Sequence, residues 1–173
     1  MPAVSSATAY SYTDHKETDL HTYTESIVAA RDLSCVFRSW RVGQKSPIGK
    51  LRGAALTFEI GFECWELDEN KSLLGHHDIT KLTEELQRWY DNTVVVAKDD
   101  PMLRAFNELH AEHALTLVTL DQVGEMAFAR HACNFATDWL RINVLSWRVR
   151  CYSVTCRSGD IACTFTNPRN EGA

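Results

Sequence analysis

One stretch, residues 56–101, constrains the fold more than any other part of this chain. It opens within a strand predicted over residues 55–65, where Phe58, Ile60 and Phe62 alternate with polar or small residues. Such a period of two is typical of a sheet with one buried and one wetter face. An amphipathic helix predicted over residues 78–90 follows, with Leu82 and Leu86 on its apolar stripe. This order favours helices packed on a sheet.

The other segments extend the same pattern. Residues 33–42 are dense in strand formers and would pair antiparallel with the 55–65 strand through a glycine-containing loop. Asp78 is the predicted N-cap of the first helix, Asp100 and Pro101 open a second, residues 115–120 are extended, and residues 122–140 form a third helix. Two alternating strands, 148–157 and 161–166, close the chain around a turn at Gly159. The sequence therefore predicts an α+β fold, a four-stranded antiparallel sheet whose second and third strands are separated by helices that pack on one face.

Length and charge limit the classes of function. A chain of 173 residues suffices for one domain that buries close to ~70% of its unfolded surface. A net charge of -5 provides no basic surface for nucleic acid. The apolar runs and the N-terminal residues lead us to expect neither a membrane span nor a signal peptide. We expect a cytoplasmic protein with a flexible N-terminal arm (residues 1–26), a single domain (27–167) and a polar C-terminal tail (168–173).

Four short motifs identify a resemblance. They are the Leu67-Asp68-Glu69-Asn70 turn, the residues 89–93 that lead into a valine run, the segment 97–101, and Ala127-Phe128-Ala129-Arg130. In order and spacing they resemble the 6-pyruvoyltetrahydropterin synthase and 6-carboxytetrahydropterin synthase family, which has the tunnelling fold, and the similarity covers residues 33–165. Arg38-Ser39-Trp40-Arg41 is similar to a divergent bacterial and phage branch. The resemblance implies a homo-oligomer, a trimer or a dimer of trimers, that binds a small pterin-like molecule at subunit interfaces.

The resemblance also implies a zinc ion held by three histidines, but other residues occupy those positions here. The first-strand position falls at Phe37 or Arg38, and the two on the second strand fall at Arg52 and Ala54. None of these side chains replaces a neutral imidazole as a ligand. We therefore expect no zinc and predict no other cofactor.

The catalytic positions implied by the family have changed in the same way. Its cysteine falls at Ile48, with Ser46 the nearest hydroxyl, and its Asp-His pair falls at Asp91 and Asn92. An amide at Asn92 cannot replace an imidazole as a general acid or base. The family also has an acidic residue just before the first helix, and Gly75-His76-His77 occupies that place here.

The substrate positions implied by the family are also altered. The glutamate that anchors the pterin ring falls near Thr155 or Ser158, and the glutamate at the start of the last helix corresponds to Glu125 only if the alignment shifts by one residue.

Two functions follow from the resemblance. The first is a protein of pterin or deazapurine (queuosine-type) biosynthesis, a carbon–oxygen or carbon–carbon lyase whose zinc-dependent chemistry is impaired or lost. The alternative is a catalytically inactive oligomeric binding or scaffold protein on the same fold. Fold alone does not decide between them.

Histidines and cysteines outside these motifs favour structural roles. His110 and His113 would share a helix face and could bind one metal, although surface helices often carry such pairs without chemistry. His131 is expected to be partly buried or at an interface, and His15 and His21 to be solvated in the arm. The six cysteines lack a Cys-x-x-Cys spacing and are predicted to be mostly buried thiols, and the five tryptophans to serve core and interface packing.

Overall fold

The computed structural model describes residues 22–42, 49–144 and 147–168. Within them, six strands and three α-helices confirm the α+β class. In chain order they are β1 (Tyr23–Phe37), β2 (Arg52–Cys64), α1 (His76–Tyr90), β3 (Thr93–Ala97), α2 (Leu103–Ala111), β4 (Leu117–Leu120), α3 (Glu125–Asn143), β5 (Val149–Ser158) and β6 (Ile161–Thr166).

The strands form one mixed sheet in the order β4-β3-β1-β2-β5-β6. β2 pairs antiparallel with β1 and β5, and β5 pairs antiparallel with β6. β1 and β3 are parallel, and so are β3 and β4. The prediction of a four-stranded, wholly antiparallel sheet is therefore wrong: β1, β2, β5 and β6 do pair antiparallel, but β3 and β4 add two parallel strands at the β1 edge. Helices precede both β3 and β4, and such crossover connections are what parallel pairing requires.

The first strand lies earlier in the chain than predicted. It was expected over residues 33–42, but β1 begins at Tyr23 and ends at Phe37, and Trp40–Val42 forms a short 3₁₀ helix. Residues 23–26, assigned to the flexible arm, thus belong to the sheet. Their side chains are exposed or only partly buried and carry no apolar period, but their backbone pairs with the end of β2, where Tyr23 lies opposite Cys64. Residues 1–21 of the expected arm, and residues 169–173 of the expected tail, are outside the described residues.

Glycine and backbone geometry fix the helix starts. α1 begins at His76 with Gly75 as its N-cap, so the predicted cap Asp78 lies inside the first turn. α3 begins at Glu125, later than predicted, because Gly124 has φ 132°, which a helix excludes. Asp100 precedes α2 as predicted, and its Oδ1 accepts the backbone N–H of Met102 at 2.8 Å.

Aromatic side chains join the helices to the sheet. The Phe128 ring of α3 packs edge-on against Phe37 of β1 at 5.0 Å, and also contacts Tyr90 of α1 at 5.4 Å. Tyr90 in turn packs on Phe58 of β2 at 4.8 Å. All four rings are fully buried, so they fix the start of α3 against the end of β1. In the described part of the chain, no helix is long and apolar enough to cross a membrane.

Candidate functional site

The register of β1 and β2 brings the family's metal positions together. Phe37 lies opposite Arg52, and Cys35 lies opposite Ala54. Side chains two residues apart on a strand share a face, so Arg52 and Ala54 project to the same side as Phe37. The positions implied for zinc ligands are therefore neighbours in space, although their chemistry differs.

A cation–aromatic contact and an ion pair occupy these positions. The Arg52 guanidinium carbon lies 4.4 Å from the centroid of the Phe37 ring. Its Nη2 donates to Glu125 Oε1 at 3.0 Å, and the Glu125 side chain is 11% exposed. A guanidinium has no lone pair to donate to a metal, and its positive charge opposes a cation at the same place. The residues at this site do not fit zinc.

The Arg52–Glu125 pair adjoins a pocket of about 410 Å³. Its walls come from the chain after β1, the last residue of β3, the segment that leads into α3 together with the first two turns of that helix, and one residue of β6. Its lining includes Arg38, Trp40, Arg41, Glu125, Arg130 and Cys163. Three of these are arginines, so the pocket favours a ligand with acceptor or anionic groups.

A buried ion pair fixes Arg38 in the pocket wall. Its Nε lies 2.8 Å from Asp100 Oδ2, with the two side chains 9% and 0% exposed. The two atoms are close enough for an ion pair but are poorly aligned for a hydrogen bond. Arg38 Nη1 also contacts the Met102 sulfur at 3.2 Å. The guanidinium is thus held from behind by the segment that precedes α2.

Asp99 holds the next two residues of the wall. It accepts hydrogen bonds from Trp40 Nε1 and from Arg41 Nε, both at 3.1 Å, and Arg41 Nη2 also contacts it. The Arg41 guanidinium, with help from the Trp40 indole, lowers the pKa of the Asp99 carboxyl. The Arg38–Asp100 and Arg41–Asp99 pairs fasten the end of β1 to the segment before α2.

The first turn of α3 opens toward this pocket without a capping side chain. Gly124 is the N-cap and makes no side-chain cap bond, and the first backbone bond of the helix runs from the Phe128 N–H to the Gly124 carbonyl. A helix N-terminus of this kind presents free N–H groups and a partial positive charge. The Glu125 carboxylate lies in this first turn, next to the partial positive charge, and also accepts the hydrogen bond from Arg52.

Asp91 and Asn92 are engaged by β1 and do not line the pocket. Asp91 Oδ1 accepts the Ser34 N–H at 2.9 Å. The Asn92 N–H donates to the Ser34 carbonyl at 2.6 Å, and Asn92 has φ 54°. These contacts fix the exit of α1 against β1. In the described part of the chain, neither residue is among those that line this pocket or the smaller one near His131.

Thr155 and Ser158 are likewise apart from Glu125. Thr155 Oγ1 lies 2.8 Å from Thr164 Oγ1 across the β5–β6 ladder, and Ser158 pairs with Ile161 beside the hairpin turn. Among the described residues, neither Thr155 nor Ser158 lines this pocket or the smaller one near His131. Of the predicted substrate residues, only Glu125 borders the cavity. The roles predicted for all three stay predictions.

The cysteines confirm the prediction of buried free thiols. All six are free, and only Cys163 is partly exposed. Burial raises the pKa of Cys35 to about 11 and that of Cys156 to about 12. The Cys133 and Cys151 sulfurs are 3.6 Å apart and not bonded covalently. Cys35 and Cys156 are therefore protonated at neutral pH and are poor nucleophiles.

The predicted histidine pair does not form. His113 lies beyond the end of α2 with φ 58°, and His110 Nδ1 contacts the Leu115 carbonyl at 3.0 Å, so the two do not share a helix face. Across the described ranges, no group of three or more histidine, cysteine, aspartate or glutamate side chains is arranged to hold a metal ion. His131 is partly buried, as expected. Ile48, Ser46, His15 and His21 fall outside the described residues.

Sequence reasoning missed Arg130, Cys163 and the Asp99–Asp100 pair as wall residues of the pocket or their supports. One signal was available for the aspartates: two adjacent acidic residues can pair with two arginines spaced as Arg38 and Arg41 are. No pattern in the neighbouring sequence identifies Cys163 as a pocket residue, because it is contributed by β6, far along the chain from the other wall segments.

Comparisons with known proteins agree with this architecture. No family model matches the chain, and no curated protein matches it. Among solved structures, an uncharacterized protein from Wolinella succinogenes (WS1659) aligns with a TM-score of 0.68 at 13% identity, over 85% of this chain and 99% of that one. The 6-pyruvoyltetrahydropterin synthase of Plasmodium vivax aligns with a TM-score of 0.61 at 8% identity, over 85% and 98% of the two chains. That of Plasmodium falciparum aligns with a TM-score of 0.55 at 6% identity, over 84% and 99%.

These likenesses confirm the resemblance at the level of fold. The chain has a fold like that of 6-pyruvoyltetrahydropterin synthase, with very low sequence identity, as a divergent relative would have.

Proposed function

We propose that this chain is a 6-pyruvoyltetrahydropterin synthase-like or 6-carboxytetrahydropterin synthase-like protein of pterin or deazapurine (queuosine-type) metabolism that binds a pterin-like molecule without zinc-dependent lyase chemistry. The observation that carries the proposal is the Arg52 guanidinium, which lies over Phe37 and bonds to Glu125 at the positions where the resemblance implies zinc ligands. A fixed organic cation there provides positive charge without a metal.

The pocket beside this pair has the size and polarity for a bicyclic heterocycle. Its volume of about 410 Å³ falls in the range of small-molecule sites. The guanidinium of Arg52 bonds to one oxygen of Glu125, Oε1. The other oxygen has no hydrogen-bond partner within the described part of the chain, and it can accept N–H groups from the amino-pyrimidine edge of a pterin.

The loss of lyase chemistry is supported by the groups that would move protons. Asp91 is bonded to the Ser34 backbone, and its neighbour Asn92 carries an amide that does not exchange protons near neutral pH. The buried thiols Cys35 and Cys156 have raised pKa values.

We also propose that the chain works in the cytoplasm as a homo-oligomer, a trimer or a dimer of trimers. The sheet ends in β4 on one side and β6 on the other. Edge strands expose unpaired backbone groups, and closure between subunits removes them. A mass near 19.6 kDa by light scattering at micromolar concentration would contradict this part of the proposal.

A scaffold role is the second candidate, and one surface feature favours it. Trp147 is 78% exposed, and its ring lies 5.3 Å from that of the exposed Trp65. Exposed tryptophans are common at protein interfaces. In this alternative the fold is kept for assembly, and the pocket takes no pterin.

Calorimetric titration with neopterin separates the two candidates. We expect saturable binding that is unchanged by prior dialysis against EDTA, and weaker binding to Glu125→Gln by roughly 10–100-fold, since a charge-assisted hydrogen bond contributes about 1.5–3 kcal/mol. Glu85→Gln, on an exposed pair of α1, is the matched control and should bind as the parent does. No heat of binding to the parent protein would reject the pterin proposal in favour of the scaffold.

The reaction itself needs a separate assay. Incubation with dihydroneopterin triphosphate should release no acetaldehyde and yield no pyruvoyl product. Either product, formed in proportion to the amount of protein, would reject the loss of lyase chemistry.

A further inference from the structure

A second and smaller pocket, of about 210 Å³, lies on the other side of Arg130. It is formed where α1 and β4 end against the first turns of α3. Its polar lining comprises Lys98, Thr119, Asp121, Gln122, Arg130, His131 and Asn134. None of these residues has a role in the pterin site proposed above, except that Arg130 and Gln122 border both pockets.

The orientation of His131 is fixed by a buried tyrosine. Tyr90 is fully buried, and its hydroxyl lies 2.8 Å from His131 Nδ1. Burial raises the pKa of Tyr90 well above its usual value, so the hydroxyl keeps its proton. His131 Nδ1 is the hydroxyl's hydrogen-bond partner in the described chain, and a buried hydroxyl without an acceptor is costly, so we assign the tautomer in which Tyr90 donates to Nδ1. The neutral imidazole then carries its own proton on Nε2.

Because Nδ1 is engaged with Tyr90, Nε2 is the ring nitrogen left to the pocket. Burial lowers the pKa of His131, although the nearby Asp121 carboxylate acts in the opposite direction. The lowered pKa favours the neutral ring. The edge of the ring is held against Trp89 at 4.8 Å between centroids. His131 is therefore a positioned N–H donor.

Arg130 is the second donor and is uncommitted. It makes no salt bridge with any residue in the described ranges, whereas Lys98 is paired with Asp121 at 2.9 Å. Two cations and one carboxylate leave one net positive charge on the lining while His131 is neutral. Arg130 also acts on the Asp121 carboxyl, whose pKa is lowered chiefly by Lys98 and in smaller part by this guanidinium. A guanidinium that makes no close ion pair and an imidazole N–H, both lining one pocket, are donors of the kind that bind an oxyanion.

We infer that this pocket binds a small oxyanion, a carboxylate or a phosphate, through the Arg130 guanidinium and His131 Nε2–H, with the Asn134 amide as a further donor. The inference goes beyond the proposed pterin site and does not depend on it. Because Arg130 borders both pockets, the oxyanion has two sources: a free anion, or an anionic tail of a molecule whose ring occupies the larger pocket.

A titration with inorganic phosphate, followed by NMR at the His131 ring protons, tests the site. We expect saturable shifts of the His131 signals, and a loss of affinity of tenfold or more in Arg130→Gln. Arg130 is exposed, so this substitution should leave the fold intact, and Arg130→Lys should recover only part of the affinity. Arg88→Gln, an exposed arginine of α1, is the control. Unchanged His131 signals, or equal affinity in Arg130→Gln, would overturn the inference.

Two further binding experiments identify the source of the oxyanion. A free anion should bind equally well when neopterin is present at saturation. An anionic tail should make dihydroneopterin triphosphate displace phosphate and bind more tightly than neopterin, a preference that Arg130→Gln abolishes. If neopterin does not bind at all, the pterin proposal fails while the phosphate titration still decides the second site.

Discussion

Replacement of Arg52 by methionine measures how strongly the ion pair stabilises the site. Methionine keeps the length of the stem on the Phe37 ring but removes a cation–aromatic contact worth about 1 kcal/mol. It also leaves the Glu125 carboxylate, 11% exposed, without its partner. Breaking a buried pair costs about 3–5 kcal/mol and breaking a surface pair about 0–1 kcal/mol. Since Arg52 is 34% exposed, we expect a total loss of about 2 kcal/mol in the free energy of unfolding.

The assay is a double-mutant cycle by urea unfolding at one fixed protein concentration, because assembly shifts apparent stability. Glu125→Gln should cost about 1 kcal/mol, since Arg52 keeps its contact with Phe37 and its partial solvation. The double variant should cost about 2 kcal/mol, which gives a coupling of about 1 kcal/mol between the two side chains. In a thermal melt, Arg52→Met should lower the Tm by about 4–8 °C.

An exposed pair on α1 supplies the control. Arg88 contacts Glu85 with the arginine side chain 70% exposed, and Arg88→Met should cost less than about 0.5 kcal/mol. The reasoning is refuted if the losses from Arg52→Met and Glu125→Gln simply add, with coupling below about 0.3 kcal/mol, because the pair would then not be formed in solution.

Three other predictions test the packing and the buried groups. Gly61→Ala should cost about 1–3 kcal/mol by urea unfolding, because a Cβ would approach Ser153 Oγ to 2.5 Å, while Gly53→Ala, with no atom within 4 Å, should be near neutral. The free energy of unfolding should fall as the pH drops below about 6.5, because burial lowers the pKa of His131 in the folded state and the unfolded chain then binds more protons. The variant His131→Gln should flatten this part of the pH profile. An unchanged slope in that variant would contradict the assignment to His131. Mass spectrometry after brief alkylation of the native protein should show Cys163 modified first, whereas six adducts should form in denaturant; a pair that resists alkylation until reduced would contradict the free thiols.

The sequence predicted most of the helices and the closing hairpin because their patterns are local. The apolar stripe of α1 and the Gly159 turn between β5 and β6 are fixed by neighbouring residues alone. β3 was missed as a strand because its five residues follow α1 directly and show no alternation of apolar and polar side chains. Its parallel pairing with β1 depends on where the end of α1 places the chain beside the sheet. The exposed start of β1 is held by its backbone ladder with β2, and hydrophobic periodicity does not report such pairing.

The candidate site was predicted in part. The family positions at Arg52 and Ala54 were identified from the motif order, and the register of β1 and β2 places them beside Phe37. The ion-pair partners of the arginines were not identified from the sequence, because the Arg52–Glu125 and Arg38–Asp100 pairs join residues far apart in the chain. A single sequence gives no signal for the Arg52–Glu125 pair, whereas the adjacent Asp99 and Asp100 offered one for the Arg38 pair.

The zinc content of the purified protein, measured before and after chelation together with neopterin binding, tests the central claim most directly. The claim is that an Arg52-centred site replaces the metal of the family. We predict no stoichiometric zinc, and equal affinity for neopterin in untreated and chelator-treated protein. One zinc per chain, whose removal abolishes neopterin binding, would contradict it.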